Sequence, residues 1–354
     1  MQRNKDFNFI GIDPGNNGVK YAYLSSGQIK YGFIPNVTGP AIPLDYPPIG
    51  KDEDILSVEI LSAEDPAQTK PTFCGELART QLQEHADQDR DRNKAETDAV
   101  NIICPAVFGL LDNDQPIVVG VGATLQDYAT QAPLLQAKLT KQHTVEFHYG
   151  SLAGHIVSPE VIRTYTYGQA AAGLVGMIKN DAGDIIRADW ENEVVLGLDF
   201  GHGQINWAVM DHLQIIRAAC YSVDYGFYRV GTAVQSFLNA APYYITATIP
   251  QLREAIEQGY YFKNGSKIDL SSVTGEACAQ IMDMTYREMK NRISSVLWDR
   301  ISRIVCMGGA AEPMAPFVGS RLGMKPEIAE NSTFTNARAL LFIAIEKWGV
   351  ENEL

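Results

Sequence analysis

Residues 7–24 read FNFIGIDPGNNGVKYAYL, and this stretch decides how the rest of the chain is interpreted. The run Phe7–Asp13 is short and apolar and ends in turn residues, which is typical of a buried strand followed by a tight turn. The segment Val19–Leu24 then predicts a returning strand, and its Lys20 lies seven residues beyond Asp13. The sequence therefore predicts a β-hairpin whose Gly-rich turn has a carboxylate on one side and a lysine on the other.

Two later turns follow the same design. Asp199 ends the apolar run 194–199 and precedes Phe-Gly-His-Gly-Gln, and the run 303–307 leads into Gly308-Gly309-Ala310. Glycines allow the backbone to approach a phosphate closely and to turn its N–H groups towards it. A carboxylate at a strand end can hold, usually through water, the Mg²⁺ ion that neutralises phosphate. One such turn is most often only a hairpin, but three of them predict a phosphate site.

The hydrophobic pattern between these turns alternates between strands and helices, which predicts an α/β protein. A strand triplet opened by an Asp-Gly turn occurs near residue 7 and again near residue 194, which suggests two related halves. Further strands are predicted at 28–33, 55–61, 71–74, 117–120, 144–149, 204–210 and 214–221. Helices are predicted at 75–85, 96–111, 125–139, 167–179, 227–240, 249–259, 275–298 and 336–348.

The composition excludes several classes of protein. The chain has 354 residues, 45% hydrophobic and 20% charged, as expected for a folded protein of about two domains. A net charge of -13 argues against a surface that binds DNA phosphates directly. Five scattered cysteines and six histidines without ligand spacing predict reduced thiols and no zinc site. No apolar run is long enough for a membrane span, and no apolar segment follows the charged residues at the N-terminus as in a signal peptide, which predicts a cytoplasmic protein.

The order of these motifs resembles the superfamily of actin, sugar kinases and heat-shock-chaperone ATPases. Asp13–Lys20 and Asp199–Gly203 resemble its first and second phosphate loops, and Ile304–Ala311 resembles its adenosine-binding motif. Tyr167–Gly173 and Asn336–Leu341 resemble its two connecting helices. Within the superfamily, segments 73–78 (FCGELA) and 118–139 are similar to the ParM-like bacterial actins that segregate plasmids.

This resemblance implies an actin-like fold, with two duplicated ribonuclease-H-like domains around a nucleotide cleft. Domain I would comprise residues 1–170 plus 335–354, with an inserted subdomain at about 28–95. Domain II would comprise residues 180–334 and carry the adenosine motif. The implied activity is hydrolysis of ATP or GTP with Mg²⁺, coupled to filament assembly. The filament would move plasmid DNA through a DNA-binding adaptor protein of ParR type, without direct contact with nucleic acid or membrane.

The resemblance also assigns site residues. Asp13, Asp199 and Gln169 would be catalytic; the two aspartates would hold Mg²⁺ through water, and Gln169 would position the attacking water. The expected nucleotide-binding residues are Gly15, Asn16, Asn17, Gly18, Lys20, Gly201, His202, Gly203, Gln204, Glu254, Glu257, Gly308, Gly309 and Ala310. The sequence departs from the family pattern at three places. His202 stands where many relatives have Gly or Asp, and Asn206 where ParM and the chaperones have a second Asp. Residues 120–123 (GVGA) replace the usual G-L-P.

Two other functions remain open at this stage. A small-molecule kinase of the same superfamily would need a catalytic base and a sugar pocket, and no candidate base stands out beyond the two aspartates. A cytoskeletal actin of the cell-shape or division type would need a membrane anchor, and neither terminus has the basic amphipathic pattern of one.

Overall fold

The computed structural model describes residues 7–61, 69–82, 86–87, 93–111, 115–180 and 183–352. The chain divides into two compact units. The first comprises residues 1–188 and 334–354, and the second comprises residues 189–333.

The strands of the described residues are distributed over both units. They are β1 (Asn8–Pro14), β2 (Gly18–Ser25), β3 (Gln28–Pro35), β4 (Val37–Pro40), β5 (Ser57–Leu61), β6 (Thr72–Cys74), β7 (Ala86–Asp87), β8 (Ile117–Ala123), β9 (Thr144–Phe147), β10 (Ile156–Val157), β11 (Val161–Gly168), β12 (Val194–Phe200), β13 (Ile205–Asp211), β14 (Gln214–Ile215), β15 (Tyr221–Val223), β16 (Tyr260–Lys263), β17 (Ser266–Asp269), β18 (Ile301–Met307) and β19 (Glu327–Ile328).

The α-helices are distributed over both units. They are α1 (Gly75–Gln81), α2 (Cys104–Leu110), α3 (Tyr128–Leu139), α4 (Ala171–Met177), α5 (Tyr228–Asn239), α6 (Ile249–Gln258), α7 (Ser271–Arg292), α8 (Ser295–Trp298), α9 (Ala311–Leu322) and α10 (Thr335–Glu351).

The central sheet of the first unit has the order β11-β8-β1-β2-β3. Strands β1, β8 and β11 are parallel, whereas β1 and β2 form the antiparallel hairpin predicted from residues 7–24. Helix α10 packs directly on the backbone of this sheet. Gly11 and Gly120 allow this close approach, because a Cβ atom at either position would overlap the backbone of α10. The chain's last helix therefore completes the first unit.

A second, six-stranded sheet of the first unit has the order β10-β9-β5-β6-β4-β7. We call it the side sheet. An inserted subdomain was expected at about 28–95, but β3 pairs with β2 along its whole length and so belongs to the central sheet. The side sheet begins at β4 and also takes β9 and β10 from beyond residue 95.

The sheet of the second unit has the order β14-β13-β12-β18-β19, and β15 pairs with β13. Strands β12 and β13 are antiparallel, and β12 and β18 are parallel, which repeats the hairpin and crossover of the first unit. The core contains Leu198, Trp207 and Cys306 from the sheet and Val234 and Ile281 from the helices.

The segment after α4 differs from the expected domain boundary. The second domain was expected to start at residue 180, but the first unit extends to Ala188. The reason is local pairing: Lys179 forms a β-bridge with Ile185, and the Ile186 N–H donates to the Ile178 carbonyl at 2.7 Å. These bonds fold the segment back onto the end of α4.

Several predicted elements are different in the structure, among them the helix predicted at 275–298, which is divided into α7 and α8. The helix predicted at 167–179 begins only at Ala171, because residues 161–168 form β11 beside β8. The strand predicted at 214–221 is divided into β14 and β15 by a 3₁₀ turn. Within the helix predicted at 96–111, a π-helical turn at Ala99–Ile103 precedes α2. For the helix predicted at 75–85, residues 75–81 form α1, and residues 83–85 lie outside the described residues.

All five cysteines are free, and four of them are buried. Burial raises the pKa of the Cys104 and Cys306 thiols to about 12, so both remain protonated at neutral pH. No helix in the described part of the chain is long and apolar enough to cross a membrane.

Candidate functional site

Asp13 and Lys20 face one another across the first hairpin. They are directly paired in the β1–β2 register, and Lys20 Nζ lies 4.0 Å from Asp13 Oδ2. Asp13 is buried, and the Lys20 side chain is 12% exposed. The hairpin thus holds an ion pair at the point where the Gly-rich turn begins and ends.

Gln169 reaches this pair from the end of β11. It lies in the turn before α4 rather than in the predicted helix, and its N–H donates to the Ala123 carbonyl at 2.9 Å. Its side-chain amide is buried and donates to Asp13 Oδ1. The carboxyl ends of parallel strands lie at one edge of a sheet, so β1, β8 and β11 bring these groups together.

The carbonyl groups of the first turn bond to groups outside it. The Pro14 carbonyl accepts from Lys94 Nζ at 2.8 Å. The Asn16 and Asn17 carbonyls accept from the Asn36 side-chain amide at 3.4 Å and backbone N–H at 3.1 Å. Among the described residues, the backbone N–H groups of Asn16 and Asn17 have no hydrogen-bond acceptor. The turn therefore presents N–H donors, as an anion-binding loop requires.

Asp199 is the last residue but one of β12 and is held from the neighbouring strand. Asp199 and Asn206 are directly paired in the β12–β13 register, and Asn206 Nδ2 donates to Asp199 Oδ2 at 3.1 Å. Ser222 Oγ on β15 donates to Asn206 Oδ1 at 2.6 Å, and all three side chains are buried. This chain fixes the orientation of the Asn206 amide. At this position a second carboxylate would repel Asp199, whereas the amide stabilises it.

The turn after Asp199 is closed by the start of α5. The Gly201 N–H donates to the Gln204 carbonyl at 2.9 Å. The carbonyl groups of residues 201–203 accept from the N–H groups of residues 226–228, at 2.9–3.1 Å. His202 lies beside Tyr228, with ring centroids 6.4 Å apart. As in the first turn, the carbonyl oxygens are bonded by groups from outside.

The third turn packs against Asp199. Gly308 has a φ of 89°, which an L-residue with a side chain rarely adopts, and a Cβ atom there would lie 2.5 Å from Asp199 Oδ1. The Ala310 N–H donates to the Phe200 carbonyl at 3.1 Å, which ties this turn to the end of β12. A Cβ atom at Gly309 would meet no atom within 4 Å. The second unit therefore brings Asp199 and the G-G-A turn together.

Two predicted residues lie apart from these groups. Glu254 and Glu257 are exposed on α6 and pair within that helix, Glu254 with Gln258 at 2.7 Å and Glu257 with Arg253 at 3.0 Å. In the described residues, no hydrogen bond or ion pair joins either glutamate to Asp199 or to the G-G-A turn.

Comparisons with known proteins agree on one fold. Residues 198–319 match a family model described as the C-terminal domain of archaeal MreB-like actin homologues. A 15-stranded ParM filament structure from Clostridium botulinum matches with a TM-score of 0.78 and 19% identity, over 96% of this chain and 99% of that chain. The chain has the actin-like fold. This confirms the α/β class and the actin-like fold that the sequence resemblance implies.

Two further structures with this actin-like fold also match. ParM from Bacillus thuringiensis with ATP has a TM-score of 0.70 and 14% identity, over 97% of this chain and 100% of that one. An archaeal actin homologue has a TM-score of 0.73 and 15% identity, over 96% and 99%. No curated protein matches the sequence. At identities this low, the likeness establishes the fold of this actin-like chain and leaves its activity open.

The actin-like chain offers single carboxylates rather than a metal cluster. No three histidine, cysteine, aspartate or glutamate side chains lie together as ligands anywhere in the described ranges. Asp13 and Asp199 each accept a hydrogen bond from a side-chain amide. Mg²⁺ keeps several of its own waters and needs only one or two protein carboxylates, so these isolated aspartates fit it better than they fit calcium or zinc.

Sequence reasoning missed three residues that support the site: Asn36, Lys94 and Ser222. Each contacts a motif from a segment that carries no phosphate-binding pattern. Lys94 follows a charged run that reads as solvated surface, and Asn36 lies in a proline-rich stretch. A buried lysine beside the first turn could be found only from the three-dimensional contacts.

Proposed function

We propose that this actin-like chain is a filament-forming ATPase. The observation that carries the proposal is a recurring arrangement. In each unit a buried aspartate ends a strand beside a Gly-rich turn whose carbonyl oxygens bond to groups outside it. Carbonyl oxygens that accept hydrogen bonds from groups outside the turn point away from a bound phosphate and do not repel it. The N–H groups of the turn can then face the phosphate.

The residues that would hold ATP or GTP are assigned on the family resemblance. The N–H groups of Asn16 and Asn17, with the Lys20 ammonium, would bind phosphate oxygens. Gly201–Gln204 would form the second phosphate loop. Gly308–Ala310 would accommodate adenosine, which agrees with the free space around Gly309.

Asp13 and Asp199 would hold Mg²⁺ through its waters. The ion, when bound, would neutralise charge on the phosphates. Gln169 donates to Asp13, so we assign it a positioning role: it fixes the carboxylate that orders the water shell. A direct role for Gln169 in orienting the attacking water is part of the same proposal, as in other nucleotide hydrolases.

The cellular role is proposed on the family resemblance. The first unit corresponds to domain I and the second to domain II of the actin-like plan. The Clostridium botulinum relative is described as a filament, which supports self-assembly of this chain. The net charge of -13 favours a DNA-binding adaptor of ParR type over direct contact with DNA. Plasmid segregation is the function we assign to such a filament.

Phosphate release tests the enzymatic part of the proposal. The wild type should release phosphate from ATP or GTP only when Mg²⁺ is present. Asp199→Asn should lower turnover by roughly 100-fold or more, because it removes a charge that holds the ion. The control is Asp283→Asn, which removes an exposed aspartate paired with Arg321 on the surface.

Three outcomes would count against the proposal. Turnover of Asp199→Asn close to that of the wild type would remove Asp199 from the site. A wild type that binds no nucleotide would remove the proposed function. Turnover that requires an added hydroxyl acceptor would favour the small-molecule kinase.

A further inference from the structure

Lys94 is a buried lysine that contacts the first turn from a distant part of the chain. It is 6% exposed, and its ammonium donates to the Pro14 carbonyl, 80 residues away in sequence, at 2.8 Å. An ammonium taken out of water is costly unless it is hydrogen-bonded. The contact with Pro14 provides such a bond.

The segment that carries Lys94 is held in a fixed conformation. Lys94–Glu96 is a 3₁₀ turn, and the Lys94 carbonyl accepts from Thr97 Oγ1 at 2.7 Å. The Asn101 side-chain amide donates to the Ala95 and Thr97 carbonyls at 3.0 and 2.9 Å. The ammonium is therefore directed at Pro14 by a turn whose own polar groups are bonded.

We propose that Lys94 is a positioning residue that makes the first turn an anion-binding loop. The inference rests on the proposed function, because it assumes that this turn binds nucleotide phosphates. Lys94 holds the Pro14 carbonyl, and Asn36 holds those of Asn16 and Asn17. With these three oxygens held, the N–H groups of Asn16 and Asn17 remain for the phosphate.

This role predicts a loss of affinity that depends on the phosphates of the ligand. Lys94→Met keeps an apolar side chain of similar length and removes the donor and the charge. Binding of ATP and ADP should weaken about 10- to 100-fold, the effect of losing a hydrogen bond from a charged group. Adenosine, which lacks phosphate, should bind the variant as it binds the wild type. Lys94→Arg should recover part of the loss.

The measurement is displacement of a fluorescent ATP analogue from the full chain by ATP, ADP and adenosine. Circular dichroism and thermal melting report whether each variant is folded. The matched control is Lys138→Met. Lys138 pairs with Glu96 at 3.3 Å on the same 3₁₀ turn but is more exposed and does not contact the loop. The control should bind all three ligands like the wild type.

The outcomes separate this inference from the proposed function. If the wild type binds neither ATP nor ADP, the proposed function fails. If it binds them and Lys94→Met binds them equally well, the inference fails. An equal loss for ATP and adenosine would show a general structural role and also overturn it. If Lys94→Met does not fold, the polar variant Lys94→Gln, which removes the charge and is too short to replace the ammonium, decides: a loss confined to ATP and ADP supports the inference, and no loss overturns it.

Discussion

At the scale of single residues, Asp13 and Asp199 are each held in the interior of their own unit by a side-chain amide. Gln169 donates to Asp13 from the turn after β11, and Asn206 donates to Asp199 from the facing strand. A buried carboxylate without such a donor loses several kcal/mol of solvation. Each amide therefore stabilises a buried aspartate and also fixes the orientation of its carboxyl group.

Gln169→Ala tests this coupling at Asp13. The substitution removes a donor from a buried carboxylate, so the free energy of unfolding should fall by about 1–3 kcal/mol. Turnover should fall while nucleotide affinity is largely kept, because positioning of Asp13 affects the transition state more than ground-state binding. Phosphate release, nucleotide titration and thermal melting give the three quantities.

The control for Gln169→Ala is Gln136→Ala, which truncates an exposed glutamine on α3 and should change none of them. Unchanged turnover in Gln169→Ala would remove Gln169 from the site.

The residues at the first turn differ in how far the sequence could predict them. Asp13 and Lys20 could be placed together because a hairpin pairs them directly. Gln169 was assigned to the site by family resemblance, and in the structure its side-chain amide contacts Asp13. Lys94 and Asn36 could not be predicted, because their contacts depend on how the side sheet and its following segment pack. No local spacing encodes such a contact.

At the scale of secondary-structure elements, the turn between β18 and α9 contains two neighbouring glycines, Gly308 and Gly309, that are expected to respond differently to substitution. Gly308→Ala should strain a φ of 89° and push a Cβ atom against Asp199, with a loss of about 1–3 kcal/mol of stability. Gly309→Ala should leave stability unchanged, since its Cβ would meet no protein atom within 4 Å. It should nevertheless weaken nucleotide binding if adenosine occupies that space.

Thermal melting and nucleotide titration of both glycine variants check these expectations. Normal nucleotide binding by Gly309→Ala would argue against an adenosine site at this turn. Normal stability of Gly308→Ala would contradict the strained geometry.

The end of α10 is joined to β11 by a pH-sensitive contact. Glu351 accepts from the Tyr165 hydroxyl at 2.7 Å and from Arg163 at 3.0 Å. Both bonds hold the pKa of Glu351 below its usual value, and the bond from Tyr165 has the larger effect. A depressed carboxyl pKa contributes stability at neutral pH, and this contribution is lost as the pH falls through the lowered pKa.

Glu351→Gln should therefore lower the melting temperature most near neutral pH. The difference from the wild type should shrink as the pH falls through the lowered pKa of Glu351, where the wild-type carboxyl also becomes neutral. Melting curves between neutral and acidic pH measure this difference. Tyr165→Phe keeps both charges and should have the smaller effect at neutral pH. A constant difference at every pH would exclude the carboxylate as its cause.

The sequence patterns of the elements that were not predicted contain residues that favour a different structure. Helix α9 buries Ala311, Met314, Ala315 and Val318, a helical spacing, but the prolines at 313 and 316 obscure it. The segment 161–168 alternates β-branched and aromatic residues, yet the Ala-rich run beyond it favoured an earlier helix start. Hydrophobic periodicity predicted the long, strongly patterned elements, and tertiary pairing decided the boundaries.

At the scale of the whole molecule, each unit has a sheet and a hydrophobic core of its own. Strands β1 and β12 open equivalent hairpins, and each leads to a buried aspartate. The likeness to ParM structures covers 96% of the chain at 19% identity. The arrangement of strands and turns is thus retained while most side chains differ, as expected where binary patterning and glycine positions specify the fold.

Assembly should depend on both nucleotide and ionic strength. Identical subunits joined head to tail form an open helical filament when the contact does not close on itself. A nucleotide that binds the assembled subunit more tightly than the free one shifts the equilibrium towards filaments. The net charge of -13 opposes this association most at low salt, where the screening length is about 30 Å, against about 8 Å at physiological salt. Moderate salt or Mg²⁺ should therefore increase assembly.

Sedimentation and negative-stain microscopy with ATP, ADP and a non-hydrolysable analogue, each at low and moderate salt, measure assembly directly. The pellet should be largest with ATP or the analogue at moderate salt, and the analogue should preserve filaments longest because its γ-phosphate is retained. The Asp199→Asn variant separates the effect of ATP binding from that of ATP hydrolysis. If it binds ATP without hydrolysing it, its filaments should persist as those with the analogue do. A monodisperse monomer under every condition, at high protein concentration, would contradict filament formation and would favour a small-molecule kinase.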